Sequence, residues 1–386
     1  MHLSEILNHL GESREHYFNA VSPPVIQSSN FAFQSLAEFR QAFTDELAHH
    51  VYSRGNNPTV NILRQKLAAL EKAEDCLVFS SGVSAIAAAV MANVRNGSHV
   101  VCVQSPYSWT KILLQDYLPR FGVEHTFVDG RDLSLIEQAI RPQTSLIYLE
   151  SPNSLTFELQ NLAACAEIAR RHGIITCVDN SYCSPIFQNP IELGIDLVVH
   201  SGTKYLNGHS DVVMGVLCGS KPMVKKIFET EYMTLGGILS PHDAALAIRG
   251  LRTLELRMHR SDSSSLKIAQ FLEGHPKVDK VLHPLLPSFP QYELAKQQMR
   301  GAGGLFSFYL KADAIEKAEA FFERLQYFLL AVSWGGHESL ILPAAAFYKI
   351  PGRKNSPLPW NLVRLYIGLE DPEWLIEDLE KALEAV

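Results

Sequence analysis

The sequence predicts an α/β fold, a large and mostly parallel β-sheet with crossover helices, followed by a smaller α+β unit. Three observations carry this. Short apolar, strand-like segments alternate with helix-period segments from about residue 60 to residue 200. Long helical stretches take over after 215–218. Two further strand-like segments, 304–310 and 362–368, accompany helical text near the end. Alternation of strand and helix implies parallel neighbours, because a parallel pair needs a crossover and cannot be closed by a tight turn.

In chain order, residues 1–50 are mixed, with Pro23-Pro24 and a polar stretch at 27–30. They read as an arm lying over something else, such as a neighbouring subunit. A helix is expected over 60–72 after a Pro58-Thr59 start. A strand at 77–79 leads through Ser80-Ser81-Gly82 into an Ala-rich helix at 84–92. Then come strand 99–104, helix 111–121, strand 123–128, helix 133–140, strand 145–150 and helix 162–172. Strands 174–178 and 196–200 follow, then helices 221–232 and 242–274, and finally helices 314–324 and 372–384 around the last strands. The expected organisation is an arm (1–50), a large ligand-binding domain (51–238) and a C-terminal domain (239–386).

Composition narrows the function classes. Of 386 residues, 47% are apolar and 19% charged, as in soluble globular enzymes. The net charge of −7 offers no basic field for nucleic acid or anionic lipid, so an anionic ligand must be gripped locally. The longest mostly apolar run, 83–94, is too short to cross a bilayer, and the first residues lack signal-peptide character. A cytoplasmic protein without membrane association is expected. The six cysteines show no CxxC spacing and read as buried reduced thiols, with Cys183 set apart by its place in a loop near the expected site. No metal-ligand spacing is present, and His209 reads as a structural loop histidine.

The chemistry concentrates at two strand ends, Val178-Asp179-Asn180 and Ser201-Gly202-Thr203-Lys204. Ligands in open α/β sheets bind at the carboxyl ends of strands, so this acid and this lysine can share one crevice. Pyridoxal phosphate needs such a set. A lysine amine holds it as a Schiff base, and an acid facing the pyridine nitrogen keeps that nitrogen protonated. The hydroxyls of Ser201 and Thr203 suit its phosphate. The turn Ser80-Ser81-Gly82-Val83-Ser84 offers a second phosphate contact through amides at a helix start. Each short motif alone is a weak signal; their order along one chain is what gives them weight.

Taken together, these stretches resemble the pyridoxal-phosphate-dependent trans-sulfuration enzymes of cysteine and methionine metabolism. The resemblance spans nearly the whole chain. It rests on DNSYCSPIFQNPIELGIDLVVHSGTKYLNGHSDVVMG at 179–215, YSRGNNPT at 52–59 and LESP at 149–152. LSPHDAALAIRGLRTLELR at 239–257, SWGGHESLI at 333–341 and RLYIGLED at 364–371 complete it. It implies the fold-type I architecture of that family. It also implies that Lys204 is the Schiff-base lysine, Asp179 the partner of the pyridine nitrogen, and Ser201, Thr203, Gly82 and Val83 the phosphate binders. Tyr107 is implied to stack on the cofactor ring. Tyr52 and Arg54 are implied to reach the cofactor of a second subunit, so that a homo-oligomer with shared sites, at least a dimer and expected to be a tetramer, is the active form. Arg364 is implied to clamp the substrate carboxylate, with Ser333 and Trp334 beside it; Tyr107 and Tyr52 join Lys204 as candidate catalytic residues.

Two departures stand out. The family's EsPtNP text is here Glu150-Ser151-Pro152-Asn153-Ser154-Leu155, which leaves open whether Asn153 or Ser154 faces the cofactor. Trp109 stands where methionine γ-lyases carry a cysteine. The resemblance, Trp334 included, points to cystathionine β-lyase activity, giving homocysteine, pyruvate and ammonia. The alternatives are a γ-lyase and a γ-replacement enzyme of the cystathionine γ-synthase or O-acylhomoserine sulfhydrylase type. An aminotransferase would not explain YSR…NPT or SWGG, and a nucleotide-binding protein would need a glycine-rich phosphate motif that is missing here.

Overall fold

The computed structural model describes residues 1–352 and 354–386. Seven strands form the larger sheet: β1 (Asp75–Phe79), β2 (His99–Val103), β3 (Glu124–Val128), β4 (Thr144–Glu150), β5 (Ile175–Asp179), β6 (Leu197–Ser201) and β7 (Gly215–Gly219). Their order is β1-β7-β6-β5-β4-β2-β3. The pairs from β6 through β3 are parallel, and β7 alone runs against its neighbours. The central strands are Val-, Ile- and Leu-rich because helices cover both faces, and β2 is buried at all five positions.

The crossover helices follow the expected places. Helix Pro58–Glu71 starts with Pro58 at its first turn and with the Asn57 side chain accepting from the Thr59 N–H at 3.0 Å, a cap worth about 1 kcal/mol. The Ala-rich helix Gly82–Met91 lies against β6 and β7. It can come that close because β7 opens with glycine: a Cβ on Gly215 would stand 2.0 Å from the Ser81 carbonyl oxygen. Small side chains on both partners thus press the start of this helix onto the strand ends.

Two helical expectations are corrected. The segment expected as one helix over 111–121 is an α-helix at Ser108–Ile112, a π-turn at Leu113–Tyr117 and a 3-10 turn at Leu118–Phe121. Pro119, which has no N–H, sits at the start of the last piece. The single helix expected over 242–274 is two, Pro241–Leu251 and Leu254–Gly274. Gly250 there packs so closely on the Asn207 backbone that a Cβ would meet its oxygen at 2.1 Å. The buried Arg257 guanidinium donates to the Gly250 carbonyl at 2.7 Å and to the Tyr205 carbonyl at 2.8 Å. The break therefore braces the loop that follows β6.

The smaller sheet holds β8 (Val278–Leu282), β9 (Leu305–Leu310), β10 (Leu329–Leu330), β11 (Leu340–Pro343) and β12 (Leu362–Tyr366), in the order β10-β11-β12-β9-β8. Only β10 and β11 pair in parallel. Helices Ile315–Arg324 and Pro372–Leu383 cover it. Strands β8, β10 and β11 were not expected; β8 carries exposed charges at Asp279 and Lys280, and β10 is only two residues long. The long helix Leu254–Gly274 serves both cores, with Leu254 and Met258 in the first and Ile268, Ala269 and Leu272 in the second. The N-terminal segment is anchored by Glu12, whose buried carboxylate meets Lys66 at 3.1 Å, Arg14 at 2.9 Å and Arg252 at 3.2 Å. Beyond that anchor, Phe18, Val21, Val25, Phe39 and Phe43 are exposed.

Candidate active site

Glu150, Asp179 and Ser201 close β4, β5 and β6, three neighbouring parallel strands, so their side chains gather at one edge of the sheet. Asp179 is buried and takes two hydrogen bonds from Ser181, from the backbone N–H at 2.9 Å and from the hydroxyl at 2.6 Å. The Ser181 hydroxyl in turn accepts the Ser201 N–H at 2.6 Å, tying the ends of β5 and β6 together. Burial raises the Asp179 carboxyl, while these hydrogen bonds and the charges of His200 and Lys204 oppose the rise.

Lys204 lies three residues past β6. Its Nζ donates to the Ser333 hydroxyl and stands 5.6 Å from the centre of the Trp334 ring. Burial first, and then the Arg364 cation, push the amine down to about 8, against the pull of Asp179. The Ser333–Gly335 loop is moulded to this lysine. Ser333 has a φ of 80°, and Gly335 has a φ of +93°; a Cβ on Gly335 would come within 2.8 Å of the Lys204 carbonyl carbon and the Tyr205 nitrogen. Trp334 is buried, edge-on to Tyr205 with ring centres 5.2 Å apart. Arg364, on β12, donates to the carbonyls of Ser154 at 3.3 Å and Ser333 at 3.4 Å. No carboxylate among the described residues pairs with it. A half-buried guanidinium held only by two carbonyls keeps an uncompensated charge, and a bound carboxylate would satisfy it.

An anion cradle lies beside this group. The first-turn amides of Gly82 and Val83 have no intrahelical acceptor. A Cβ on Gly82 would crowd Ser201 at 3.0 Å, so glycine keeps the space between this helix start and the end of β6 open. Thr203 is tied down: its hydroxyl accepts the Met214 N–H at 2.9 Å and donates to the Met214 carbonyl at 3.2 Å. Amine, buried acid, helix-start amides and a serine hydroxyl are a donor set that fits pyridoxal phosphate. Lys204, Asp179, Gly82, Val83, Ser201 and Thr203 are the residues that would hold it.

Tyr107 precedes helix Ser108–Ile112 and is partly exposed. Its phenol is raised by burial first and then by the Asp179 carboxylate, with the Glu150 carboxyl contributing less, which places it near both. Asn153, one of the two candidates from the ESPNSL text, is committed elsewhere. Its Oδ1 accepts from the N–H groups of Leu155, Thr156 and Phe157, and its Nδ2 donates to Thr156 and Glu158. Ser154 is the member of the pair whose backbone meets Arg364. Tyr52 and Arg54 are both exposed, with the guanidinium 5.5 Å from the tyrosine ring centre, and neither makes a side-chain hydrogen bond to the Lys204 group. Cys183 is fully buried and its thiol is pushed up by burial, so it is an inert core residue; all six cysteines are buried and unpaired. The His209 ring donates to the Asn207 carbonyl at 2.8 Å. Among the described residues no His, Cys, Asp or Glu group could hold a metal, and no helix is long and apolar enough to cross a membrane.

Sequence reasoning missed Glu150, although an acid ending a predicted strand, as Asp179 does, was a usable signal. It also missed Ser181, whose role depends on a contact between two strands.

A lysine and an acid at adjacent strand ends, with an open anion cradle and an unpaired arginine, are what an amino-acid-transforming pyridoxal-phosphate enzyme requires. The chain belongs to the Cys/Met metabolism PLP-dependent enzyme family, whose profile matches residues 5–384. It is 41% identical to an L-methionine gamma-lyase of Pseudomonas putida over 382 residues, 98% of this chain and 96% of the relative. It is 41% identical to a cystathionine gamma-lyase of Mus musculus over 352 residues, 90% of this chain and 88% of the relative. A cystathionine gamma-lyase of Homo sapiens is 38% identical over 383 residues, 98% and 92% of the two chains. The protein is thus a pyridoxal-phosphate-dependent carbon–sulfur lyase of the trans-sulfuration family. These relatives are named as γ-lyases, so the particular likeness to cystathionine β-lyases expected from the sequence is not supported.

Proposed function

We propose that the protein eliminates the γ-substituent of a sulfur amino acid, releasing a thiol, 2-oxobutyrate and ammonia. The observation that carries this is the near full-length similarity to enzymes named for γ-elimination from methionine and cystathionine. The site geometry is consistent with it. The Arg364 guanidinium, free of a carboxylate partner and beside Lys204, would clamp the substrate carboxylate in a bidentate fork. Pyridoxal phosphate, when bound, supplies an electron sink for negative charge at the α-carbon. Lys204, whose amine is pushed down to about 8, would move protons at Nζ, first at Cα and then at Cβ. The Tyr107 phenol, held protonated by burial and the nearby acids, would donate its proton to the departing sulfur.

Gly82, Val83, Ser201 and Thr203 would hold the phosphate, and Asp179 would face the pyridine nitrogen. Tyr52 and Arg54, exposed and without a side-chain hydrogen bond to the Lys204 group, would serve the site of a second copy, which makes the active unit a homo-oligomer of at least two chains. We assign the arm to 1–50, the cofactor-binding domain to 51–238 and the C-terminal domain to 239–386.

β-Elimination retains one observation, Trp334 beside Lys204, but that indole packs onto Tyr205 and is buried. Chromatography of the keto acids made from cystathionine and from methionine decides between the two. 2-Oxobutyrate as the main product supports γ-elimination; mainly pyruvate with homocysteine from cystathionine restores the β-lyase reading.

A further inference from the structure

Glu150 is a buried acid that the proposed reaction does not use. It is paired in register with Asp179 across β4 and β5, so the two carboxyls stand side by side on one face of the sheet, both buried. No cation among the described residues forms an ion pair with Glu150. Two carboxylates this close resist ionising together. Asp179 has the two hydrogen bonds from Ser181 and the Lys204 charge in its favour, so the negative charge settles there and Glu150 keeps its proton.

What Glu150 touches is informative. Its Oε2 accepts the backbone N–H of Tyr107 at 2.6 Å, and the backbone amide of Ser154, four residues on in the loop after β4, lies near enough to favour the charged form of the carboxyl. The Ser154 carbonyl, in turn, accepts from Arg364. One buried side chain therefore joins the loop after β2 to the loop after β4, and through the second loop reaches β12 of the smaller sheet.

We propose that Glu150 is a positioning residue that sets Tyr107, on the cofactor side, in register with Arg364, on the substrate side. This rests on reading those two residues as cofactor and substrate contacts. A carboxyl suits the task because both oxygens retain acceptor capacity even when one carries a proton. A glutamine offers one acceptor and turns an NH2 donor toward the second N–H.

The test compares Glu150→Gln, Glu150→Ala, Arg364→Ala and the Glu150→Gln/Arg364→Ala double variant, all as holoenzyme. The readouts are KM, kcat, visible circular dichroism of the bound cofactor and melting temperature. Glu150→Gln is expected to melt within about 4 °C of wild type. Its KM should rise about 10-fold with a smaller fall in kcat, and its cofactor dichroism should weaken as Tyr107 shifts. Glu150→Ala should lose about 100-fold in kcat/KM, the scale of a misplaced reacting group. In the Arg364→Ala background, Glu150→Gln should change KM by less than about 2-fold, because the two act through one connection. Wild-type KM and dichroism in Glu150→Gln overturn the proposal, as does full additivity with Arg364→Ala or a loss confined to melting temperature. If Glu150→Ala does not fold, Glu150→Gln decides alone. An unchanged KM in Arg364→Ala would instead overturn the reading of Arg364, and the dichroism would then test Glu150 through Tyr107.

Discussion

The Lys204 ε-amine donates a hydrogen bond to the Ser333 hydroxyl, and Ser333 is held at a φ of 80°, where an L-residue is strained. A residue from the loop before β11 of the smaller sheet is thus bent to meet a lysine that follows β6 of the larger one. Ser333→Ala removes the acceptor and keeps the strain; Ser333→Gly removes the acceptor and relieves it. The glycine variant should therefore be more stable than the alanine variant by about 1 kcal/mol, measured by calorimetry. Both should slow turnover alike, and a faster alanine variant would show that strain rather than the hydroxyl matters.

Lys204 should show its lowered pKa directly. An unperturbed lysine amine is less than about 1% neutral at pH 8, whereas one titrating near 8 is about half neutral there. Since the neutral amine is the nucleophile, pyridoxal phosphate should attach to apoprotein at a rate that climbs up to about pH 8 and levels off above it. Arg364→Ala removes a cation that lowers this pKa, so the climb should move to higher pH. A profile unmoved by Arg364→Ala would show that burial alone sets the amine.

Gly335→Ala places a methyl within 2.8 Å of the Lys204 backbone at a φ of +93°. Both steric crowding and the left-handed backbone oppose it. A loss of about 2–4 kcal/mol of stability is expected, with kcat falling because the lysine is displaced. Wild-type kcat in a folded Gly335→Ala protein would show that the loop yields freely.

Sharing of sites between copies is tested by complementation. Arg54→Ala and Lys204→Ala proteins should each be inactive, and mixing them under subunit exchange should restore some activity, because one hybrid site keeps both residues. Proven exchange without recovery would place Arg54 and Lys204 in the service of the same chain's site.

Trp109 is about half exposed, two residues beyond Tyr107, where methionine γ-lyases are implied to carry cysteine. Trp109→Cys should shift the kcat/KM ratio of methionine over cystathionine upward by at least about 10-fold, a modest step for a change of pocket volume. An unchanged ratio would remove Trp109 from substrate choice.

Much of the fold was legible in the sequence. Helix Leu162–His172 matches the expected bounds, and most strands lie within two residues of them, because buried parallel strands are continuous apolar runs between helix-period segments. The expectations failed where local signals were outweighed. Pro119 divides one helical run, the Gly250 contact with Asn207 ends another, and the edge strand β8 carries charges that hide it. The hydrogen bond from the Tyr107 N–H to Glu150 was not legible, since a backbone N–H leaves no mark in the choice of amino acid.

By itself the sequence determined the alternation of strands and helices in the larger sheet, the placing of Asp179 and Lys204 at or just beyond strand ends, and the family. Those features follow from local periodicity and from contiguous motifs. Only the tertiary structure decided that β7 runs antiparallel between β1 and β6 and that Asn153 is spent on its own loop. It also decided that Glu150 and Asp179 stand in register, and that Ser333 and Arg364 reach Lys204 from more than a hundred residues away. The physical reason is that burial and charge act through space. A carboxyl keeps its proton, and an amine gives one up, because of neighbours that packing of the two sheets brings together, wherever they lie along the chain.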